Sequence, residues 1–265
     1  MCAIIGVASI KNVSFAKDWL KTGRDTMIHR GPDDYGEWWS NDEMVGLGHR
    51  RLSIIDITSG GHQPMLDTSE NLSIVFNGEI YNYIELKELL VKKGYEFRSS
   101  SDTEVLLNAY LEWGFNFLQH LNGMFSFCIY DIRKKRIFIA RDRSGEKPLF
   151  YYLKNGILKF SSELKAILKD ENLEKKLDLD SFDCFLSMGF VPGMRSIIES
   201  VNKLPPAHYL EFNLENGNIE ITKYWNLPEF INCDIDEHDL LKELDFLLED
   251  SVNKQMVADV QVGVL

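Results

Sequence analysis

The chain has 265 residues, of which 45% are hydrophobic and 26% are charged. This length accommodates one large globular domain or two modest ones, and this composition excludes disordered, collagen-like and disulfide-stapled miniprotein classes. Lys and Arg number 29 against 41 Asp and Glu, so the formal net charge is -12. Such a charge repels phosphate backbones and anionic membranes, and we therefore expect no nucleic acid and no membrane surface as partners.

The cysteine and hydropathy patterns limit the class further. The four cysteines stand at positions 2, 128, 184 and 233, without a C-x-x-C pair or the Cys/His spacing of a zinc site. We therefore expect no metal in this part of the protein, and a reduced, cytoplasmic location. No stretch approaches the roughly 18 apolar residues of a membrane-spanning helix, and the apolar N-terminus lacks a basic leader.

The first part of the chain predicts a buried strand, a helix and several short strands. Apolar and β-branched residues from Ala3 to Ile10 predict a strand close to the N-terminus. Apolar spacing predicts a helix over Phe15–Met27, and a polar loop follows at His29–Asp34. Further short strands are predicted before a Gly/Pro-rich loop at Thr58–Pro64, namely Glu37–Trp39, Val45–His49 and Leu52–Ile55.

Asn77 and Gly78 interrupt an apolar run in the middle of the chain. The run Leu72–Phe76 stops at this pair and resumes at Ile80 and Tyr81. Asn-Gly is the preferred pair of a type I′ hairpin turn, so we predict a tight turn here. The pair also fits an oxyanion hole, because an Asn side-chain amide and the next backbone N–H can aim at one developing negative charge. The two interpretations are compatible.

Two helices and two hairpins are predicted between residues 83 and 160. Leucine spacing predicts a helix over Tyr83–Val91. Ser101 and Glu104 have the spacing of a capping box, in which each side chain bonds the other's free amide, so a second helix is predicted from there to about Trp113. Alternating apolar residues predict antiparallel hairpins that join Met124–Tyr130 to Ile137–Ile139 and Pro148–Leu153 to Ile157–Phe160.

The pattern of predicted elements changes after Leu214. A turn is predicted at Asn216–Asn218, and Tyr224–Cys233 is irregular. Asp236–Met256 predicts one amphipathic helix with a buried stripe that comprises Leu240, Leu241, Leu244, Leu247, Leu248 and Val252. The apolar residues Val260–Leu265 predict a strand at the end of the chain, which is the pattern of an interrupted domain.

Cys2 is the sharpest chemical feature of the sequence. Removal of the initiator Met would place a thiol and a free α-amine on one residue. An α-amine has a pKa of about 7.7–8.0, so such a residue carries its own general base beside its nucleophile. Taken alone, a cysteine at position 2 is more often incidental, and the rest of the pattern decides between the two interpretations.

Arg51 and Asp102 form a candidate pair for binding a free amino acid. A guanidinium can hold the substrate's α-carboxylate, and a carboxylate can hold its ammonium. Arg51 opens a predicted strand and Asp102 lies on the first turn of a predicted helix, so both stand on rigid elements. The alternative is that each of them forms an ion pair on the protein surface.

Taken together, these residues resemble the glutaminase half of glutamine-hydrolysing asparagine synthetases, a family of class II, N-terminal-nucleophile glutamine amidotransferases. The resemblance covers nearly the whole chain in nine segments in the family's order. These segments are Met1–Gly6, His29–Asp33, Arg51–Asp56, Phe76–Asn82, Ser101–Val105, Leu121–Phe125, Arg141–Leu149, Ser161–Lys165 and Leu204–Pro206.

The resemblance implies an α+β fold, a four-layer αββα sandwich, and a glutaminase that needs no cofactor. Cys2 matches the nucleophile, which attacks the side-chain amide of L-glutamine and forms a thioester. Asn77 and Gly78 match the oxyanion hole, and Arg51 matches the residue that holds the α-carboxylate. The remaining substrate-binding matches are Glu79 and Asp102 for the ammonium and the main chain of Leu52, Ser53, Ile54 and Ile55, while His29–Asp33 matches a loop that closes over glutamine.

Two departures from the family pattern stand out. Ala3 occupies the position after the cysteine, where most members have Gly, and we expect this extra methyl group to be tolerated. Gln261 replaces the Pro of the family's Asp-Val-Pro segment.

The resemblance divides the chain into a glutaminase domain over 1–214 and, over 215–265, a linker with the incomplete start of an ATP-dependent synthetase domain. Residues 215–265 hold 12 acidic and 3 basic side chains, so their balance is -9, against -3 for residues 1–214. ATP and Mg²⁺ are implied for the synthetase domain, with Val264 and Leu265 at the edge of its nucleotide site. The expected partners are L-glutamine, that domain and a second copy in a homodimer.

Two other functions stay open. A related synthetase could amidate a different acceptor, and only the remaining domain would discriminate that reaction. A non-catalytic, glutaminase-like module would keep the fold but retain Met1, which leaves no free α-amine on Cys2.

Overall fold

Apolar side chains on both faces of the first strand set the layers of the molecule. In the computed structural model, which describes residues 1–229 and 236–263, strand β1 (Ala3–Ser9) is buried along its whole length. Ile4 packs between two sheets, whereas Ile5 and Val7 pack against the helical side. A strand that is buried on both faces has a continuous apolar sequence, as residues 3–8 do.

Two six-stranded sheets form the two inner layers, and neighbouring strands pair antiparallel. The first sheet consists of β1, β2 (Asp34–Trp39), β3 (Val45–Arg51), β8 (Phe150–Lys154), β9 (Ile157–Ser161) and β10 (Asn202–Lys203), in the spatial order β10-β8-β9-β1-β3-β2. The second consists of β4 (Met65–Leu66), β5 (Leu72–Ile80), β6 (Gly123–Asp131), β7 (Arg136–Arg141), β11 (His208–Asn213) and β12 (Ile219–Lys223), in the order β12-β11-β7-β6-β5-β4.

Helices cover the outer face of each sheet. The α-helices of the described ranges are α1 (Lys17–Asp25), α2 (Tyr83–Lys92), α3 (Asp102–Trp113), α4 (Leu164–Ile167), α5 (Leu179–Met188) and α6 (Glu237–Gln255). Trp19 and Leu20 of α1 and Ala166 of α4 pack on the first sheet. Leu86 of α2 and Val105 of α3 pack in the same cluster as the second sheet's outer face. The architecture is therefore the predicted four-layer αββα sandwich.

The space between the sheets is filled by side chains from both. Ile4 and Leu47 from the first sheet meet Val75, Cys128 and Ile139 from the second. The predicted strands around these residues and both predicted hairpins are present. Among the described residues, no helix is both long enough and apolar enough to span a bilayer.

Two predictions about local structure in the middle of the chain are wrong. Strand β5 continues through Asn77 and Gly78 without a turn, because both residues pair with β6, opposite Ser126 and Phe125. Tertiary pairing therefore overrides the local preference of Asn-Gly. Residues 52–55 form an irregular loop and not a strand, since strand β3 ends at Arg51.

The predicted start of α3 is confirmed, but the capping box is not. Ser101 caps the helix by accepting from the Thr103 backbone nitrogen at 3.2 Å. The Glu104 carboxylate turns to the preceding loop, where it accepts from the backbone nitrogens of Arg98 and Ser99 at 2.9 and 2.8 Å. The loop thus offers Glu104 two amides in place of the single amide of Ser101.

Residues after 214 differ most from the predictions. Strand β12 pairs with β11, so the second sheet continues past Leu214. Helix α6 is present, but its leucine stripe is exposed, with 44% exposure at Leu240 and 57% at Leu248. An amphipathic helix buries its apolar stripe only against a neighbour, and no described element covers this one.

The predicted final strand is not formed over the part of it that the structure describes. Residues 260–263 are irregular, and Val260 and Val262 are each 42% exposed. A strand needs a neighbour for its backbone groups, and none pairs with this segment within the described ranges. Val264 and Leu265, the predicted edge of a nucleotide site, lie outside the described residues, as does the end of the irregular stretch, 230–233.

Candidate active site

Cys2 stands immediately before β1, and its thiol contacts the loop that follows β3. The Sγ atom lies 3.4 Å from the Leu52 backbone nitrogen and 3.6 Å from the Leu52 carbonyl oxygen. The pairing of Ala3 with Arg50 places the two chain segments side by side. Burial raises the pKa of the Cys2 thiol, and the hydrogen bond from Leu52 partly offsets this rise. The protonated form of the thiol is therefore favoured until a base takes its proton.

The open edge of β5 presents a row of backbone amides beside this thiol. The Phe76 nitrogen donates to the Gln63 side-chain oxygen at 2.6 Å, and the Ile80 nitrogen donates to Asp102 Oδ2 at 3.2 Å. Because N–H groups alternate in direction along a strand, the Gly78 amide points to the same edge, between those two bonds. It lines the pocket and is available to an oxygen of a bound molecule.

The Asn77 side chain is buried without a hydrogen-bond partner for either its nitrogen or its oxygen among the described residues. Its neighbour Val75 packs between the sheets, so the Asn77 side chain lies on the face of β5 that is directed towards β1. Buried amides are nearly always bonded, and an orphan costs about 1–3 kcal/mol. Such a group in a pocket is typical of a site that awaits a ligand.

Gly78 allows the strands to approach closely at this point. A Cβ atom at this position would lie 2.2 Å from the Met124 carbonyl oxygen and 2.7 Å from the Phe125 Cα atom. Both are backbone atoms of β6 and cannot move aside without breaking the β5–β6 pairing. Glycine at position 78 therefore allows the backbone amide that follows Asn77 to lie this close to β6.

Arg51 extends from the end of β3 into the loop of residues 52–58. Its guanidinium donates to the carbonyl oxygens of Thr58 at 2.9 Å, Ile55 at 3.2 Å and Asp56. A Cβ atom at Gly61 would lie 1.9 Å from one of the guanidinium nitrogens, so a glycine is needed beside it. Three of the five guanidinium N–H donors are thus used by the loop, which leaves two for a carboxylate.

Two acidic side chains, Glu79 and Asp102, line the same pocket as this arginine. The pKa of Asp102 is raised to about 7, mainly by burial and in part by nearby Glu79, while the hydrogen bond from Ile80 opposes the shift. Burial also raises the pKa of Glu79, and the ammonium of Lys147 opposes that rise. A cationic ligand group placed between the two carboxyl groups would favour their ionised forms.

One pocket, with about 490 Å³ of empty space, brings most of the predicted site residues together. Nine of the ten predicted catalytic and glutamine-binding residues line it, namely Cys2, Arg51, Leu52, Ile54, Ile55, Asn77, Gly78, Glu79 and Asp102. The exception is Ser53, whose backbone nitrogen turns away and donates to Asp33 at 2.8 Å.

Several residues that line or support the pocket have no predicted role. Gln63 holds the Phe76 amide, and the buried Lys147 faces Glu79. His49 donates from Nε2 to the Phe76 carbonyl oxygen at 2.9 Å, and burial lowers its pKa to about 3, so it is neutral. Lys147 lies within a segment that carries the family resemblance, whereas Gln63 and His49 carry no local signal.

Met1 itself lines the pocket. Its sulfur lies 3.4 Å from the Lys147 ammonium and 3.9 Å from an Arg30 guanidinium nitrogen, while Arg30 also donates to the Cys2 carbonyl oxygen at 2.9 Å. Burial lowers the pKa of the Met1 α-amine, and the cations of Arg30 and Lys147 lower it further. The unprotonated form of the Met1 α-amine is therefore more favoured than it would be in an exposed α-amine.

In this four-layer αββα sandwich, the cysteine that precedes the buried strand β1 lines the same pocket as the unpartnered Asn77 side-chain amide and the Gly78 backbone. Residues 1–225 match the model of the glutamine amidotransferase domain, and the chain belongs to this family.

Curated relatives agree with this membership. The chain is 36% identical over 267 residues to asparagine synthetase [glutamine-hydrolyzing] 3 of Bacillus subtilis, covering 99% of this chain and 42% of the relative. It is 38% identical over 267 residues to asparagine synthetase [glutamine-hydrolyzing] 1 of the same organism, covering 99% and 41%. The chain thus spans less than half the length of these two relatives.

The glutamine phosphoribosylpyrophosphate amidotransferase of B. subtilis shares the fold, with a TM-score of 0.62. That match has 20% sequence identity and covers 84% of this chain and 49% of the other.

Proposed function

We propose that this chain is the glutaminase portion of an asparagine synthetase, in which Cys2 releases ammonia from the side-chain amide of L-glutamine. One observation carries the proposal: the Cys2 thiol enters the same pocket as the unpartnered Asn77 amide and the edge amide of Gly78. The names of the B. subtilis relatives support both the donor, glutamine, and the product of the whole enzyme, asparagine.

The first step needs a base, because burial raises the pKa of the Cys2 thiol. Removal of Met1 would leave the α-amine of Cys2 beside that thiol, and it would also clear the Met1 side chain from the pocket. The amine takes the thiol proton, and the sulfur attacks the side-chain carbonyl carbon of glutamine. Burial and the cations of Arg30 and Lys147, which lower the pKa of the Met1 α-amine, would act in the same direction on the Cys2 α-amine that replaces it.

The attack converts the amide carbonyl oxygen into an oxyanion. The Asn77 side-chain N–H and the Gly78 backbone N–H donate to it, which gives the buried amide its missing partner. The protonated α-amine returns the proton to the leaving nitrogen, the C–N bond breaks, and ammonia departs. Water then attacks the thioester, and glutamate leaves with Cys2 restored.

The charges of the pocket match the two ends of the substrate. The two N–H donors that the loop leaves on Arg51 bind the α-carboxylate of glutamine. Glu79 and Asp102 bind its ammonium, and backbone groups of residues 52–55 contact its side. Binding of an ammonium lowers the pKa of Asp102 from about 7 and keeps that carboxyl ionised.

The remaining assignments follow from the same proposal. The glutaminase domain, predicted over residues 1–214, extends in this proposal through strand β12 to about residue 225, and the residues that follow lead into a synthetase domain. Amide formation from a carboxylate and ammonia needs an activated acyl group, which ATP with Mg²⁺ would supply in that domain. Aspartate is the proposed acceptor, the cytoplasm the proposed location and a homodimer the proposed assembly.

The test is glutamate release from glutamine by Cys2→Ala protein. We expect its rate to fall to background, while Cys184→Ala, a matched change at a half-buried free cysteine on α5, keeps the wild-type rate. Mass spectrometry of the purified wild-type chain should show that Met1 is absent. Retained Met1 with no glutamate release would favour the non-catalytic module, and unchanged activity in Cys2→Ala would refute the proposal.

A further inference from the structure

The loop of residues 52–58 controls two parts of the pocket at once. Its first residue, Leu52, contacts the Cys2 thiol through its backbone nitrogen and oxygen. Three carbonyl groups further along, at Ile55, Asp56 and Thr58, accept the guanidinium of Arg51. A displacement confined to residues 54–56 therefore moves the proposed carboxylate-binding cation and leaves Leu52 against the thiol.

Asp56 is the residue that shapes the loop. Its backbone φ is 52°, in the left-handed region that residues other than glycine rarely adopt. Its carboxylate accepts from the Ser100 backbone nitrogen at 2.9 Å and from the Thr58 backbone nitrogen at 3.2 Å. The Asp56 carbonyl oxygen accepts from the Arg51 guanidinium. The Asp56 backbone N–H needs a separate acceptor.

That partner lies far away in sequence. Asp259, in the segment that follows α6, accepts from the Asp56 backbone nitrogen with Oδ2 at 2.7 Å. The Asp259 backbone nitrogen donates to the Ile54 carbonyl oxygen at 2.9 Å. Two bonds from a single residue thus fix both sides of Ile55, in the middle of the loop.

We propose that Asp259 is a positioning residue for glutamine binding, so that the pocket depends on the segment after α6. This inference rests on the proposed glutaminase function. Asp259 touches no reacting group. It acts through Asp56, which it holds in the left-handed conformation that presents the Asp56 carbonyl to Arg51.

The proposal predicts an effect on affinity more than on turnover. Without the Asp259 carboxylate, the Asp56 amide loses its partner and the loop relaxes away from Arg51, so the guanidinium is less well placed for a carboxylate. The oxyanion donors on β5 lie on a different element and keep their positions. A general loss of fold would instead lower kcat as well as raise the KM for glutamine.

The experiment compares Asp259→Ala, Asp259→Asn and Asp245→Ala in the whole chain. Asp245 is an exposed aspartate of α6, so its truncation removes the same charge without touching the loop. We expect Asp259→Ala to raise the KM for glutamine about threefold to tenfold with kcat changed less than about twofold, as for loss of one hydrogen bond that supports binding. Asp259→Asn keeps an acceptor oxygen and should keep the wild-type KM, as should Asp245→Ala.

A second readout measures affinity without turnover. Iodoacetamide alkylates the Cys2 thiol, glutamine protects it, and mass spectrometry gives the half-protecting concentration. Wild-type protein that neither hydrolyses glutamine nor is protected by it refutes the proposed function itself. Active wild-type protein combined with an Asp259→Ala variant that matches Asp245→Ala in KM and protection overturns the role of Asp259 alone.

If Asp259→Ala does not fold, the comparison moves to Asp259→Glu. This change keeps the charge but carries the carboxylate one methylene further from the backbone, out of register with the Asp56 amide. A raised KM and weaker protection support the proposal, and wild-type values overturn it.

Discussion

The side-chain oxygen of Gln63 accepts a hydrogen bond from the Phe76 backbone nitrogen at 2.6 Å, and this bond closes one end of the open edge of β5. At the other end, Asp102 accepts from Ile80. Side chains thus occupy the first and third amides of the row and leave the middle one, at Gly78, to face the pocket. Gly78 is therefore the proposed oxyanion donor on this edge, because the amides of Phe76 and Ile80 on either side already have partners.

Replacement of Gln63 by Met should weaken both the fold and catalysis. The Gln63 side chain accepts from the Phe76 nitrogen and also donates from Nε2 to Thr103 Oγ1 at 3.2 Å. An apolar side chain of similar length replaces neither bond, so it leaves the buried Phe76 amide without a partner. We expect the free energy of unfolding, from urea denaturation, to fall by about 1–3 kcal/mol. We also expect kcat for glutamine hydrolysis to fall more than KM changes. Gln255→Met, at an exposed position on α6, is the control and should leave both quantities unchanged.

Asn77→Ala should separate stability from activity. The variant loses an oxyanion donor, so we expect kcat to fall about 10²–10³-fold with a nearly unchanged KM. It also removes two buried polar atoms without partners, so the free energy of unfolding should stay within about 1 kcal/mol of the wild-type value. Ser73→Ala on the same strand removes another unpartnered polar atom and should leave kcat unchanged. A marked loss of stability in Asn77→Ala would mean that the amide has a structural partner.

Gly78→Ala should damage the strand pairing itself. The added methyl group would overlap backbone atoms of Met124 and Phe125, which no rotamer change can relieve. We expect a loss of about 1–3 kcal/mol in unfolding free energy, or a failure to fold, together with loss of hydrolysis. Gly263→Ala, where a Cβ atom meets nothing within 4 Å, is the matched control in thermal and urea denaturation. Equal stability of the two variants would contradict the close approach of β5 and β6.

Asp102→Asn should stabilise the protein at high pH while weakening glutamine binding. The folded-state pKa of Asp102, about 7, lies above its ordinary value of 3.8. As pH rises from about 4 to 7, the unfolded state loses this proton first, so the contribution of Asp102 to stability is present in acid and lost above pH 7. The variant has no such loss, and we expect it to exceed the wild type by on the order of 2–4 kcal/mol at pH 8.

The measurement for this prediction is urea denaturation of both proteins at pH 4.5 and pH 8. Their difference should shrink at the lower pH, while His49, with a pKa of about 3, titrates in both proteins and cancels. The KM for glutamine should rise at least about tenfold, because an Asn side chain offers no charge to the ammonium. Asp245→Asn, an exposed change, should show neither effect, and a pH-independent difference for Asp102→Asn would contradict the raised pKa.

Local sequence was sufficient for elements whose stability is decided by their own residues. The continuous apolar run predicts β1, leucine spacing predicts α2, and Ser101 marks the start of α3 because its hydroxyl can bond a free amide in any context. It was misleading at Asn77 and Gly78, where a good turn pair lies within a strand. There, nine residues of pairing between β5 and β6 outweigh a two-residue preference.

The sequence by itself predicted which residues would carry the chemistry: a cysteine at position 2, an Asn-Gly pair, an arginine and two carboxylates, through their motifs and the family resemblance that those motifs support. Tertiary structure alone decided how they meet, because positions 2, 51, 77 and 102 are distant along the chain and converge only through the pairing of β1 with β3 and the placement of α3 beside the β5 edge. It alone revealed Gln63 and Asp259, since each acts by bonding a backbone amide, and a backbone amide has no signature in the sequence.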